Sequence, residues 1–78
     1  MQHYEIKVCH DGDHHHIYRS SAHLVVQWLT FNHYLHPSMA EDIQAQIADS
    51  DLGATLRYVG YCDTDITITV VPPQLTLL

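Results

Sequence analysis

The sequence predicts an α+β fold in the order β-β-α-α-β-β, one antiparallel sheet with two helices packed on a single face. Three observations carry this expectation. Residues 3–9 alternate apolar and polar groups and run into Asp11-Gly12; residues 22–35 form a long apolar stretch stopped by His36-Pro37; and residues 66–71 alternate again before Pro72-Pro73. A chain of 78 residues, 46% hydrophobic and 15% charged, buries one small core, so residues 1–78 are expected to form a single domain.

In the first strand Tyr4, Ile6 and Val8 share one face, and His3, Glu5, Lys7 and Cys9 the other; this is the pattern of a half-buried strand. Asp11-Gly12 suits a type I′ turn, which needs positive φ at both central residues. A two-residue loop then pairs His10 with Asp13, Cys9 with His14, Lys7 with His16 and Ile6 with Ile17 in a second strand over residues 14–19. A four-residue loop also keeps Ile17 inward, opposite Val8, so the pattern admits both registers.

Ser20 or Ser21 can cap the first helix, whose wide apolar face is read as Leu24, Val25, Trp28, Phe31 and Leu35, with Val26 and Leu29 off its centre. Ser38-Met39-Ala40-Glu41 reads as a capping box for a second helix reaching about residue 49, with Met39, Ile43 and Ile47 as a thin apolar stripe. Gly53 suits the turn that follows. Residues 55–62 and 66–71 read as the last two strands, ended by Pro72-Pro73. Residues 74–78 are apolar but short, a loose tail or a strand for a partner to complete.

If every connection is short and every element reverses direction, Asp11, Asp13, Glu41, Asp42, Asp63 and Asp65 fall at one end of the domain, six of its nine carboxylates. Turn propensity and the helix dipole explain acids at such places without any function. Asp49 and Asp51 at the end of the second helix oppose the dipole instead, a local violation that hints at another use.

Three Lys/Arg against nine Asp/Glu give a formal charge of −6, which argues against a chain whose task is to hold nucleic-acid phosphates and favours basic partners. Protonating all eight histidines would carry −6 to +2. No apolar run approaches the roughly 20 residues of a membrane span, and no signal sequence is evident, so a cytoplasmic chain with Cys9 and Cys62 reduced is expected.

Cys9, His14 and His16 lie on the outer face of the expected hairpin and could bind Zn²⁺, with Asp13, His10 or a water as fourth ligand. The paired spacings of familiar zinc modules are missing, and the alternative is a solvated imidazole face, a partner contact or a pH sensor. No phosphate-cradling Gly loop, Gly-x-Ser-x-Gly or His-Glu-x-x-His occurs, and so short a chain leaves little room around Cys9 for a catalytic pocket. A non-enzymatic role is therefore expected. Of the aromatic residues most belong to the core, but Tyr18 is placed outward beside Glu5 and near His16, and Tyr34 lies at the edge of the apolar stripe. Spare apolar groups, Val26, Leu29, Val71 and the tail among them, could be covered by a homodimer or another protein.

In size, acidity and layout the chain resembles the small inhibitors made by phages and mobile elements, anti-CRISPR proteins in particular. The likeness rests on no motif and carries over no residue. It implies stoichiometric binding to a host complex with a basic nucleic-acid-binding surface, such as a CRISPR effector, blocking DNA binding or nuclease recruitment. The partner-binding residues expected are Asp11, Asp13, Tyr18, Glu41, Asp42, Asp63 and Asp65. A small zinc protein using Cys9, His14 and His16 is the competing expectation, and an accessory subunit anchored by its apolar strand or tail a third.

Overall fold

The computed structural model describes residues 2–73; the tail at 74–78 lies outside the described residues. Strands β1 (His3–His10) and β2 (Asp13–Arg19) are followed by helices α1 (Ala22–Phe31) and α2 (Pro37–Ala48), then β3 (Thr55–Val59), a single 3₁₀ turn (Tyr61–Asp63) and β4 (Asp65–Val71). This is the expected β-β-α-α-β-β order. All four strands form one antiparallel sheet in the order β2-β1-β4-β3.

The β1–β2 hairpin forms in the two-residue register. Asp11 and Gly12 both take positive φ, 49° and 81°, as a type I′ turn requires, and His10 pairs with Asp13, Cys9 with His14 and Ile6 with Ile17. Tyr4, Ile6 and Val8 from β1 and Ile66, Ile68 and Val70 from β4 are buried on the helix-bearing side. Among the described residues the opposite side of the sheet carries no helix.

Ser21 caps α1, its hydroxyl accepting from Leu24 N–H. The buried arc of α1 differs from the expected one. Ala22, Val25, Val26 and Leu29 are buried, whereas Leu24 is 37% and Phe31 80% exposed. Both sets recur at helical spacing, and α1 packs on both the sheet and α2, so the Ala22, Val25, Val26 and Leu29 arc takes the inner position and Leu24 and Phe31 face out. The helix also stops at Phe31 rather than continuing to Leu35. His33 N–H donates to the Thr30 carbonyl and Tyr34 N–H to the Leu29 carbonyl, with His33 at φ 61°. This is a Schellman ending with histidine in the left-handed position that glycine usually occupies.

The expected capping box is replaced by an earlier start to α2. Pro37 takes the first helical position, where its missing N–H is harmless, and His36 Nδ1 accepts from Ser38 N–H at 3.0 Å. Ile43 and Ile47 are buried, while Met39 stays out. Strand β3 ends at Val59 rather than reaching Cys62. Gly60 N–H donates to the Thr64 carbonyl and Tyr61 N–H to the Tyr34 carbonyl, pulling the chain off the sheet, and Cys62 and Asp63 both adopt positive φ. At Gly60 a Cβ would lie 1.9 Å from the Tyr34 carbonyl oxygen, so only glycine permits this approach.

Candidate functional site

The register of the hairpin builds the helix-free face of the sheet residue by residue. It sets Glu5 opposite Tyr18, Lys7 opposite His16 and Cys9 opposite His14. The Tyr18 hydroxyl donates to Glu5 Oε2 at 3.0 Å, His16 Nε2 stands 3.3 Å from the same oxygen and Lys7 Nζ 3.7 Å from Oε1. The His16 and Tyr18 rings lie 5.1 Å apart. Burial by itself would raise the Glu5 pKa, but the Tyr18 and His16 hydrogen bonds and the nearby Lys7 charge outweigh it and hold the carboxyl below its ordinary 4.5. Tyr18 moves the other way: its bond to Glu5 holds the phenol proton, with burial adding to the effect.

Towards the turn the same face opens into a shallow groove of ≈ 220 Å³, lined in part by Lys7, Cys9, His14, His16, Asp65 and Thr67. Cys9 Sγ lies 3.9 Å from His14 Nε2. The third expected zinc ligand does not join them. His16 is committed to Glu5, and among the described residues no group of three or more His, Cys, Asp or Glu side chains is gathered to hold a metal ion. The Cys9-His14-His16 site is therefore corrected to a Cys-His pair, which falls short of the four ligands zinc prefers.

At the turn end, Asp11, Asp13, Asp63 and Asp65 are all exposed. Antiparallel pairing of β1 with β4 sets Asp65 against Cys9, alongside the hairpin tip, and Asp63 precedes it in the 3₁₀ turn. The His36 and Tyr61 rings, 5.5 Å apart, bring the start of α2 over that turn, with exposed Glu41 and Asp42 one turn further on. Asp11 Oδ2 is 3.5 Å from His10 Nε2. Among the described residues the only ion pair with a lysine or arginine is Lys7 with Glu5, so among those residues no lysine or arginine neutralises the acidic end.

Beneath it lies a polar element that the sequence pattern did not single out. Among the described residues Thr64 is the one buried polar residue. Its hydroxyl donates to the Tyr61 carbonyl and stands 2.7 Å from His10 Nδ1. Because that hydroxyl has a single proton and the carbonyl can only accept, His10 Nδ1 carries the hydrogen of the second bond. Continuing the parity of Tyr4, Ile6 and Val8 to His10 was the available signal. His10 and His15 then pack against Tyr34, with centroids 6.1 and 5.9 Å away, and Tyr34 against Trp28 at 5.5 Å. Tyr34 is thereby built into the wall beneath the hairpin.

The chain matches no protein-family model, no curated protein and no solved structure. Among the described residues no helix is long and apolar enough to cross a membrane.

Proposed function

We propose that this protein is a small, non-enzymatic inhibitor of phage or mobile-element origin that binds a host nucleic-acid-handling complex through its acidic end, a CRISPR effector being the first candidate. The observation that supports the reading is the set of exposed carboxylates Asp11, Asp13, Asp63 and Asp65 at the turn end of the sheet, extended by Glu41 and Asp42, without a lysine or arginine partner among the described residues. Uncompensated negative charge held on a folded edge is complementary to a Lys/Arg-lined groove and competes there with a phosphate chain.

Tyr18 and the histidine hairpin supply the less charged part of the contact. The Tyr18–Glu5–His16 cluster offers a half-exposed aromatic surface beside the charged end, the kind of group that anchors protein interfaces. In the host cytoplasm the inhibitor acts stoichiometrically, by occluding the DNA path or the surface that recruits a nuclease. The test is capture of purified effector complexes by immobilised protein carrying a tag other than polyhistidine, in nuclease-treated buffer with chelator. Retention by the wild type and loss on Asp63→Lys with Asp65→Lys is the expected result. Equal retention by both proteins would overturn the acidic-end reading, and retention that vanishes in chelator would move the contact to the Cys9-His14 groove.

A further inference from the structure

Strand β2 stands at the edge of the sheet and carries formal charge only at its two ends, Asp13 and Arg19. Its seven residues, Asp13–Arg19, include no proline and no lysine, whereas unprotected edges template pairing with another strand. A two-residue hairpin makes His10 and Asp13 a hydrogen-bonded pair. Residues 13, 15, 17 and 19 therefore turn their backbone groups towards β1, and His14, His16 and Tyr18 turn theirs outward.

We propose that the protein is a two-fold homodimer in which β2 pairs antiparallel with β2 of a second copy about an axis at His16. In that register His14 faces Tyr18 of the second copy, His15 faces Ile17 and Asp13 faces Arg19. The outward-turned residues His14, His16 and Tyr18 meet one another and exchange their backbone bonds, so the parity fits. Asp13 and Arg19 are the formally charged residues of the strand, and this register, the one that overlaps the whole strand, sets them against each other twice. Each His16 at the axis keeps its own Glu5 at 3.3 Å.

The helical side supports the same axis independently. Next to β2, Arg19, Leu24, Gln27, Trp28 and Phe31 line an apolar groove of ≈ 280 Å³, and Phe31 is 80% exposed. Helix α1 contains no Asp, Glu, Lys or Arg, so in a molecule of charge −6 it is a face that two copies can bring together without repulsion. It lies against both β1 and β2. With strands ~4.8 Å apart, continuing the sheet across β2 sets the two α1 axes roughly 10 Å apart, near the distance at which helices pack. The exposed Leu24 and Phe31 and the half-buried Trp28 of each copy then cover those of the other. The dimer shares Asp13 and the Tyr18–His16 edge with the acidic-end reading, but Asp63 and Asp65 belong to the far half of the sheet and stay free, so substitution of those two tests the acidic end without touching the dimer.

Sedimentation equilibrium tests the dimer. The wild type is expected at twice the 8.9 kDa chain mass. Arg19→Asp and Phe31→Glu, each with unchanged far-ultraviolet circular dichroism, are expected to sediment as monomers at the same concentration, and Asp13→Arg combined with Arg19→Asp to restore the dimer. A wild type that stays monomeric at all concentrations overturns the proposal and leaves the edge to a strand of another protein. A dimer that survives both single substitutions places the interface elsewhere, and failure of the paired charge swap to restore it overturns the register.

Discussion

At His33 the chain pays no attention to the usual preference for glycine: its φ of 61° places a side-chain-bearing residue in the left-handed region, which costs about 1–2 kcal/mol for an ordinary L-residue. The Schellman bonds around it hold the conformation, because Tyr34 and Leu35 must be turned back into the core. His33 is exposed, so nothing is lost by removing its ring. His33→Gly is expected to raise stability by about 1 kcal/mol, read as a higher urea midpoint with an unchanged slope; a lower midpoint would mean that the imidazole has a contact worth keeping. The Tyr18–Glu5–His16 cluster was legible at this scale, since a single register decides which side chains face each other. The zinc set was not. Strand parity placed Cys9, His14 and His16 on one face, but the choice of His16 between Cys9 and Glu5 is made by side-chain electrostatics, to which a spacing pattern is blind.

At the scale of elements, the connection from β3 to β4 carries the most structure for its length. Gly60 lets the backbone meet the Tyr34 carbonyl, Cys62 and Asp63 sit at positive φ, and the buried Thr64 hydroxyl ties Tyr61 to His10. Thr64→Val keeps the shape of the side chain and the Thr64 N–H bond to the Tyr61 carbonyl, but removes the hydroxyl bond to that carbonyl and leaves the His10 Nδ1 hydrogen without its acceptor. A loss of about 2 kcal/mol is expected, measured by thermal or urea unfolding; an unchanged midpoint would show that the hydroxyl is dispensable. None of this was readable from Asp63-Thr64-Asp65 beyond a turn, because no glycine follows to mark the left-handed backbone as Gly12 does after Asp11. The hairpin was readable, since Asp11-Gly12 and the alternation of β1 agree on one answer. For α1 two apolar stripes competed, and packing against both the sheet and α2 chose the one with Ala22, Val25, Val26 and Leu29, a tertiary decision that periodicity cannot make.

For the whole molecule, stability should fall at both ends of the pH scale through particular groups. Glu5 has a lowered pKa, so its contribution is present above the ordinary 4.5 and is lost as pH falls through the lower folded value. Tyr4 and Tyr58, raised by burial, and Tyr18, raised first by its bond to Glu5, have the opposite sign. Their contribution is complete below the ordinary value of 10.0 and is lost as pH rises through the folded values. Glu5→Gln is expected to flatten the acid limb of unfolding free energy against pH; an acid limb of unchanged slope would assign it to other carboxylates.

The same scale holds the central claim, that the negative charge of the turn end is there to be bound. The sheet layout that gathers Asp11, Asp13, Asp63 and Asp65 was legible from strand directions alone, whereas the identity of what they meet is not written in a pattern of acids. The direct measurement is the affinity of a purified CRISPR effector complex for the wild type and for Asp63→Lys with Asp65→Lys, across a series of salt concentrations. The account predicts binding that weakens steeply with salt and is lost in the double variant while its circular dichroism is unchanged. Equal, salt-insensitive affinity for both proteins, or no binding by the wild type, would contradict it.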